Sequence, residues 1–377
     1  MWFTHVKLEN WRNFLKVDVP LLPRVFMVGP NASGKSNLLD ALRFLRDIAA
    51  PEGGFQRAVA LRTNVSQIRS LHARRYPNVA IEVEVELDED RWSYRLEFTQ
   101  TNQRVPVVAR EIVRHGSTMV RERPDAEDDA DPTRLRQTHL EQVNANKPFR
   151  SLADFLSDVR YLHLVPQLVR EPGRSVGRER DPFGGDFLKQ VFGTPKKVRS
   201  SRLRRIQEAL RVAVPQLKEL EPYRDEATGA PHLKGRYEHW RPNAGWQTEE
   251  QLSDGTLRLL GLLWALLDGS GPLLLEEPEL SLHSGVVRHV PQMIQRLRRS
   301  SGRQVLLSTH SYDLLSDSGI APEEVLLLQP TKESTEVRVA ADDQQVLALL
   351  ESGVPMAEVV LPRTAPRRAS QLALFGE

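Results

Sequence analysis

The sequence contains no cysteine. Disulfides, thiolate nucleophiles, iron–sulfur clusters and Cys-ligated zinc are therefore excluded, and nothing points to an oxidising compartment. Aromatic residues are scarce, at 6%, which leaves little for the stacking platforms that bind single strands. An excess of one charge is also missing. Lys plus Arg number 52 against 50 Asp plus Glu, a formal net charge of +2, so a uniformly basic coat is excluded while local patches are not. The longest apolar stretch, Leu259 to Leu267, is too short to span a bilayer, and Met1 to Arg12 lack the apolar core of a secretion signal. These absences predict a soluble, cytoplasmic protein with no membrane partner. Core material is plentiful. With 40% hydrophobic residues in a chain of 377, the sequence suits one large α/β domain or a two-lobed unit.

Short strand-like runs open the chain at Phe3 to Leu8, Leu15 to Leu21 and Val25 to Val28. The third leads into Gly29, after which Leu38, Leu39, Leu42, Leu45 and Ile48 recur at helical spacing. Ala80 to Leu87 and Trp92 to Phe98 alternate as strands and predict a β-rich N-terminal lobe. Residues 121–137 mix both charges with two prolines and a single leucine, which predicts an exposed loop. An Arg- and Gly-rich loop is expected at 170–185, a helix from about Arg199 to Val214, and a polar connector at 222–250. Thr256 to Leu267 is apolar nearly all round, hence a buried helix. The apolar runs Leu273 to Leu275, Val305 to Ser308 and Val325 to Leu328 read as strands of a parallel sheet covered on both faces. No sustained heptads occur, so no long coiled coil is expected.

The strongest local signal is Gly29-Pro30-Asn31-Ala32-Ser33-Gly34-Lys35-Ser36, followed by Asn37. It matches G-x-x-x-x-G-K-[ST] between a buried strand and a helix, as a P-loop requires. Backbone amides and the helix N-terminus face phosphates, Lys35 reaches the β and γ oxygens, and the Ser36 hydroxyl is a Mg²⁺ ligand. ATP and Mg²⁺ are the expected cofactors. The acidic partner such a loop needs stands in Leu273-Leu274-Leu275-Glu276-Glu277-Pro278-Glu279. Glu276 completes the metal shell and Glu277 is placed to polarise the attacking water. Leu252-Ser253-Asp254-Gly255-Thr256 directly precedes the buried helix, where Ser253 or Asp254 also suits an N-cap.

Together, GPNASGKSNLLDALRFL, LSDGTLRLLGLLWALL, LLLEEPELSLH and LLSTHS resemble the soluble ABC-class AAA ATPases of the RecF, SMC and OLD group. That resemblance implies an ABC-type P-loop NTPase: an α/β fold with a mixed, mainly parallel core sheet, a β-rich N-terminal lobe and a helical/β insertion. It further implies that Ser253 and Gly255 bind the γ-phosphate of a nucleotide held by a second subunit. On the same grounds His310 is the switch histidine, ELSLH at Glu279 to His283 lies at the dimer interface, and a glutamine senses metal and nucleotide. Gln167 is chosen for that last role over Gln56 and Gln67. Two departures stand out. Glu276 replaces the usual aspartate, and the 67 residues after His310 leave no room for a Toprim nuclease.

The organisation expected is a single ATPase domain over residues 1–361, with the nucleotide-binding core at 1–50 and 247–345, an inserted lobe at 51–246 and a flexible tail at 362–377. Expected partners are a second copy on ATP binding, double-stranded DNA and a separately encoded nuclease or effector. For DNA, the basic stretches are Lys196, Lys197, Arg199, Arg202, Arg204 and Arg205, with Arg170 to Arg180. Gln371, Leu372, Leu374 and Phe375 resemble a sliding-clamp-binding peptide. DNA repair or anti-phage defence is the expected process, with a toxin–antitoxin-like regulatory ATP-binding protein or a transporter ATPase subunit as alternatives.

Overall fold

The computed structural model describes residues 1–73, 77–175, 181–241 and 244–365. Alternation decides the first sheet. β1 (Trp2–Trp11), β2 (Phe14–Pro20), β4 (Val79–Leu87), β5 (Asp90–Gln100), β6 (Pro106–His115) and β7 (Thr118–Arg123) pair antiparallel in the order β2-β1-β4-β5-β6-β7. In β4, VAIEVEVEL, the residues from Ile81 on alternate, with Ile81, Val83, Val85 and Leu87 on a buried face and Glu82, Glu84 and Glu86 on the other.

Continuous apolar runs decide the second sheet. β3 (Arg24–Val28), β13 (Val305–Thr309), β12 (Leu273–Glu276) and β8 (Arg160–Leu162) lie parallel, and all five residues of β3 are buried. β14 (Val325–Pro330) continues it in parallel and β15 (Thr335–Val339) closes one edge antiparallel, giving β15-β14-β3-β13-β12-β8. Val25 and Met27 face the helix Lys35–Ala49, whose buried Leu38, Leu39, Leu42, Leu45 and Ile48 fill the space to the antiparallel sheet. Phe26 and Val28 face the opposite way, toward Ile294, Val346, Met356 and Val360 of C-terminal helices. A third core joins the helix Asp254–Leu267 to the helix Lys196–Ala213 and a small sheet of β9 (Leu217–Arg224), β10 (Pro231–Tyr237) and β11 (Trp246–Thr248).

Strand pairing cuts across the expected division at residue 50. β1 and β2 belong to the antiparallel sheet, and β8 belongs to the parallel one. Two stretches expected to be irregular are not. Residues 222–250 supply most of the three-stranded meander. Residues 121–137 hold the end of β7 and the helix Ala126–Ala130, with Arg123 and Asp128 each only 1% exposed. Arg123 Nη2 donates to Asp128 Oδ1 at 2.6 Å, Nη1 donates to Glu111 and to the Gln137 carbonyl, and the ion pair satisfies charges that composition alone assigns to solvent. The expected tail boundary also moves: the helix Met356–Thr364 runs through Pro362 and buries Thr364.

Candidate functional site

The sheet order places β13 between β3 and β12. The loops leaving the C-terminal ends of these three parallel strands therefore converge, where ligands of open α/β sheets bind. They carry the P-loop, Glu276-Glu277 and His310.

Local sterics fix the P-loop. Gly34 has φ +97°, and a Cβ there would lie 2.4 Å from Asn13 Nδ2. At Gly29 a Cβ would meet Ser33 Oγ at 2.4 Å and the Leu328 carbonyl at 2.9 Å. Asn31 and Ala32 are exposed, Ala32 at φ +63°, while Ser33 amide donates to Pro30. Lys35 is 6% exposed and donates to the carbonyls of Gly29 (2.9 Å) and Pro30 (3.2 Å). Burial lowers its pKa, while Glu277, Glu276 and Glu279 pull it back up.

Ser36 donates its hydroxyl to Glu276, which also accepts from the Tyr161 hydroxyl on β8. Burial and the Glu276 charge push the Tyr161 ionisation up, so the phenol stays a donor. Glu277 sits at φ +44°, a conformation rare outside glycine, with its amide donating to the Ser308 carbonyl at 3.1 Å. That backbone aims its carboxylate at His310, whose Nδ1 lies 3.2 Å from Glu277 Oε1. Glu279 turns inward rather than toward a surface. It is 8% exposed and accepts from Thr309 Oγ1 at 2.5 Å, and burial pushes its carboxyl up.

The donors present suit magnesium, since Ser36 and Glu276 are hard oxygen ligands already in contact. Ser33 Oγ is also buried with no partner among the described residues, as befits a loop built to meet phosphate oxygens. Gln167 does not join this group. Its amide bonds Glu171, the residue that follows its own short helix, Pro166–Arg170, at the surface. His163 approaches instead, with Nδ1 3.4 Å from the Glu276 carbonyl.

Ser253 caps the helix Asp254–Leu267, accepting from the Thr256 amide at 3.2 Å. A Cβ on Gly255 would meet the Ser281 carbonyl at 2.6 Å, so the turn Ser253-Asp254-Gly255 packs directly on the segment after Glu279. Arg170 holds that turn, donating to the Leu252 carbonyl (2.7 Å) and Asp254 (2.6 Å). One turn on, Arg258 loses basicity to burial, opposed by Asp254, Glu277 and Glu279.

The basic helix divides by face. Arg199 stacks on Phe192, and Arg202 pairs with Asp268 at 2.6 Å and stacks on Trp264, so both are engaged by the protein. Lys196, Lys197, Arg204 and Arg205 are exposed. Residues 176–180 of the Arg-rich loop, and Gln371, Leu372, Leu374 and Phe375, lie outside the described residues.

Two contributors escaped sequence reasoning: Tyr161 and Asn13. Asn13, in the β1–β2 turn, donates to the Ser33 carbonyl and to Thr335, both at 2.8 Å, and accepts from Asn37 at 2.8 Å. It ties the P-loop to both sheets. Asn13→Ala is expected to weaken ATP binding about tenfold, because it leaves polar groups unpaired. Gln167→Ala is expected to leave turnover within about twofold, as at an ordinary surface position. Equilibrium nucleotide titration and steady-state turnover of the two variants check this pair.

The chain is similar to several known proteins. DNA replication and repair protein RecF of Roseiflexus castenholzii is 40% identical over 58 residues, 15% of either chain. RecF of Lactobacillus acidophilus is 46% identical over 46 residues, 12% of either chain. The likeness to these relatives is thus confined to a small part of their length. Among solved structures, an SMC head bound to the C-winged helix domain of ScpA superposes with a TM-score of 0.58 at 14% identity, over 90% of this chain and 97% of that one. An SMC head with an extended coiled coil, bound to the C-terminal domain of ScpA derived from Pyrococcus furiosus, gives 0.52 at 13% identity, over 93% and 99%. The fold is that of an SMC head without a long coiled coil among the described residues. No helix among them is long and apolar enough to cross a membrane. The family described as "AAA domain, putative AbiEii toxin, Type IV TA system" matches residues 24–317, most of the chain, and with its P-loop and acidic strand end in place this protein belongs to that family of ABC-type P-loop ATPases.

Proposed function

We propose that the protein binds and hydrolyses ATP with Mg²⁺ and that two copies close around two nucleotides. The observation that carries this is the convergence of Lys35, the Ser36–Glu276 contact and the Glu277–His310 pair at adjacent strand ends. Ser36 and Glu276 would hold the metal, which when bound supplies charge to the phosphate oxygens. Lys35 neutralises the same phosphates, Glu277 orients the water and takes its proton, and His310 steadies Glu277 and meets the γ-phosphate. Ser253 and Gly255, on a helix N-terminus, complete the site of the other copy. The chain through the helix Met356–Thr364 acts as one ATPase domain in the cytoplasm.

The process we favour is DNA maintenance or anti-phage defence, with a separately encoded effector. Support comes from the partial likeness to RecF and from the exposed Lys196, Lys197, Arg204 and Arg205. A second reading, an ATP-binding regulator that controls a neighbouring gene product, is favoured by the toxin–antitoxin wording of the family description. Steady-state turnover with and without double-stranded DNA separates them. The first reading predicts stimulation that fades with salt and with a Lys196→Glu, Lys197→Glu, Arg204→Glu, Arg205→Glu variant. Turnover indifferent to DNA favours the second.

A further inference from the structure

Glu276, at the end of β12, carries one methylene more than an aspartate would, and so one more rotatable bond between backbone and carboxylate. Left free, that arm would spread the position of its oxygens. Both oxygens are instead held, each from a different element. Ser36, at the start of the P-loop helix, donates its hydroxyl to Oε1, and Tyr161 on β8 donates its hydroxyl to Oε2. His163 Nδ1 lies 3.4 Å from the backbone carbonyl and leaves the carboxylate to these two hydroxyls.

Strand pairing sets the reach of Tyr161. β8 runs parallel to β12 with Tyr161 opposite Leu274, so the phenol extends along the neighbouring strand to Glu276, the next residue on the same face. The P-loop helix closes over the ring from that side. Ser36 and Arg43 stand about two turns apart on it and therefore share one side of the helix. While Ser36 meets Oε1, the Arg43 guanidinium lies 4.9 Å from the centre of the Tyr161 ring. Asp40, between them on the helix, is engaged by Arg62 at 2.6 and 2.8 Å and does not compete for the phenol.

We propose that Tyr161 is a positioning residue that fixes Glu276 as a one-oxygen ligand and thereby selects Mg²⁺ over Ca²⁺. The inference rests on the proposed Mg²⁺-dependent binding of ATP. With Oε2 tied to the phenol, the carboxylate presents Oε1 alone, beside the Ser36 hydroxyl. One carboxylate oxygen and one hydroxyl suit six-coordinate Mg²⁺, which fills its other positions with water and phosphate oxygens. Ca²⁺ gains instead from a carboxylate free to turn both oxygens toward it. Hydrogen bonds to the ligands of a metal are worth about ten- to a hundredfold in its affinity. The phenol is matched to glutamate at this position, because an aspartate, one methylene shorter, would fall short of it.

The test follows uptake of a non-hydrolysable ATP analogue by the full chain as free Mg²⁺ or free Ca²⁺ is titrated. Four proteins are compared: native, Tyr161→Phe, Glu276→Asp and the double variant. Tyr161→Phe keeps the ring, the Arg43 stack and the packing, and removes only the hydroxyl. It should raise the Mg²⁺ needed for half-maximal uptake about tenfold or more. The Ca²⁺ requirement should stay within about twofold, and that uptake also shows the variant to be folded. In the Glu276→Asp background the same substitution should move the Mg²⁺ requirement by less than about twofold, since the hydroxyl there has no acceptor to hold. Unchanged Mg²⁺ dependence in Tyr161→Phe overturns the proposal. Equal weakening for both ions, or an equal loss in the Glu276→Asp background, overturns it as well by making Tyr161 a packing residue. Each of these results leaves the ATP reading standing, whereas a native protein that takes up no analogue at any metal concentration overturns that reading and this proposal together.

Discussion

Glu277→Gln is expected to lower ATP turnover about a hundredfold or more while ATP still binds, and to make ATP-bound dimers accumulate. The side chain keeps its size and its place opposite His310, 3.2 Å away. What it loses is the capacity to accept a proton from water and the negative charge that orients that water. Lys35 contacts, the Ser36–Glu276 pair and the Gly34 turn are untouched, so affinity is preserved. Removing one of the three glutamates that act on Lys35 also relieves repulsion toward the γ-phosphate, which favours the closed state. Light scattering of the variant with ATP, alongside turnover, checks both halves. A variant that hydrolyses at the native rate removes Glu277 from the chemistry, and one that stays monomeric removes the clamp.

The second large effect is structural. Arg123→Ala is expected to cost about 3–5 kcal/mol, because it strands the carboxylates of Asp128 and Glu111 in a buried site. Both are 1% exposed, and Glu111 also accepts from the Tyr94 hydroxyl (2.9 Å) and the His139 amide (2.8 Å). Arg110→Ala, which breaks the exposed Arg110–Glu122 pair, should cost about 1 kcal/mol or less. Urea unfolding of the two variants compares them directly. The Asp128 carboxyl adds a pH signature. Its hydrogen bonds from Arg123 hold it down at about 2, below the ordinary 3.8. The stability it contributes is therefore complete above the ordinary value and lost as pH falls through 3.8 toward 2. Asp128→Asn should flatten that part of the acid limb.

These two residues also show where sequence reading succeeds and where it fails. The P-loop, the Glu276-Glu277 strand end and the order of buried strands were legible because each depends on neighbours in sequence. A Gly-Lys-Ser turn needs its own glycines, and a fully buried parallel strand must be apolar throughout. Arg123, Asp128 and Glu111 were not legible, since their pairing joins β6, β7 and the following helix across a register that local composition does not encode. The stretch 121–137 therefore read as solvated when it is stapled to the sheet. Asn13 and Tyr161 were missed for the same reason. Asn13 reaches Thr335 from the far end of the chain, and Tyr161 reaches Glu276 only because β8 pairs with β12. The Gln167 expectation rested on resemblance alone, and the side chain bonds Glu171 instead.

The central claim is that one copy's Lys35 and the other's Ser253 serve the same nucleotide. Mixing subunits tests it. Lys35→Ala and Ser253→Arg proteins should each be inactive alone, yet an equal mixture should recover about a quarter of native turnover, since half the dimers are mixed and each holds one intact composite site. A mixture no more active than its two components would contradict the account.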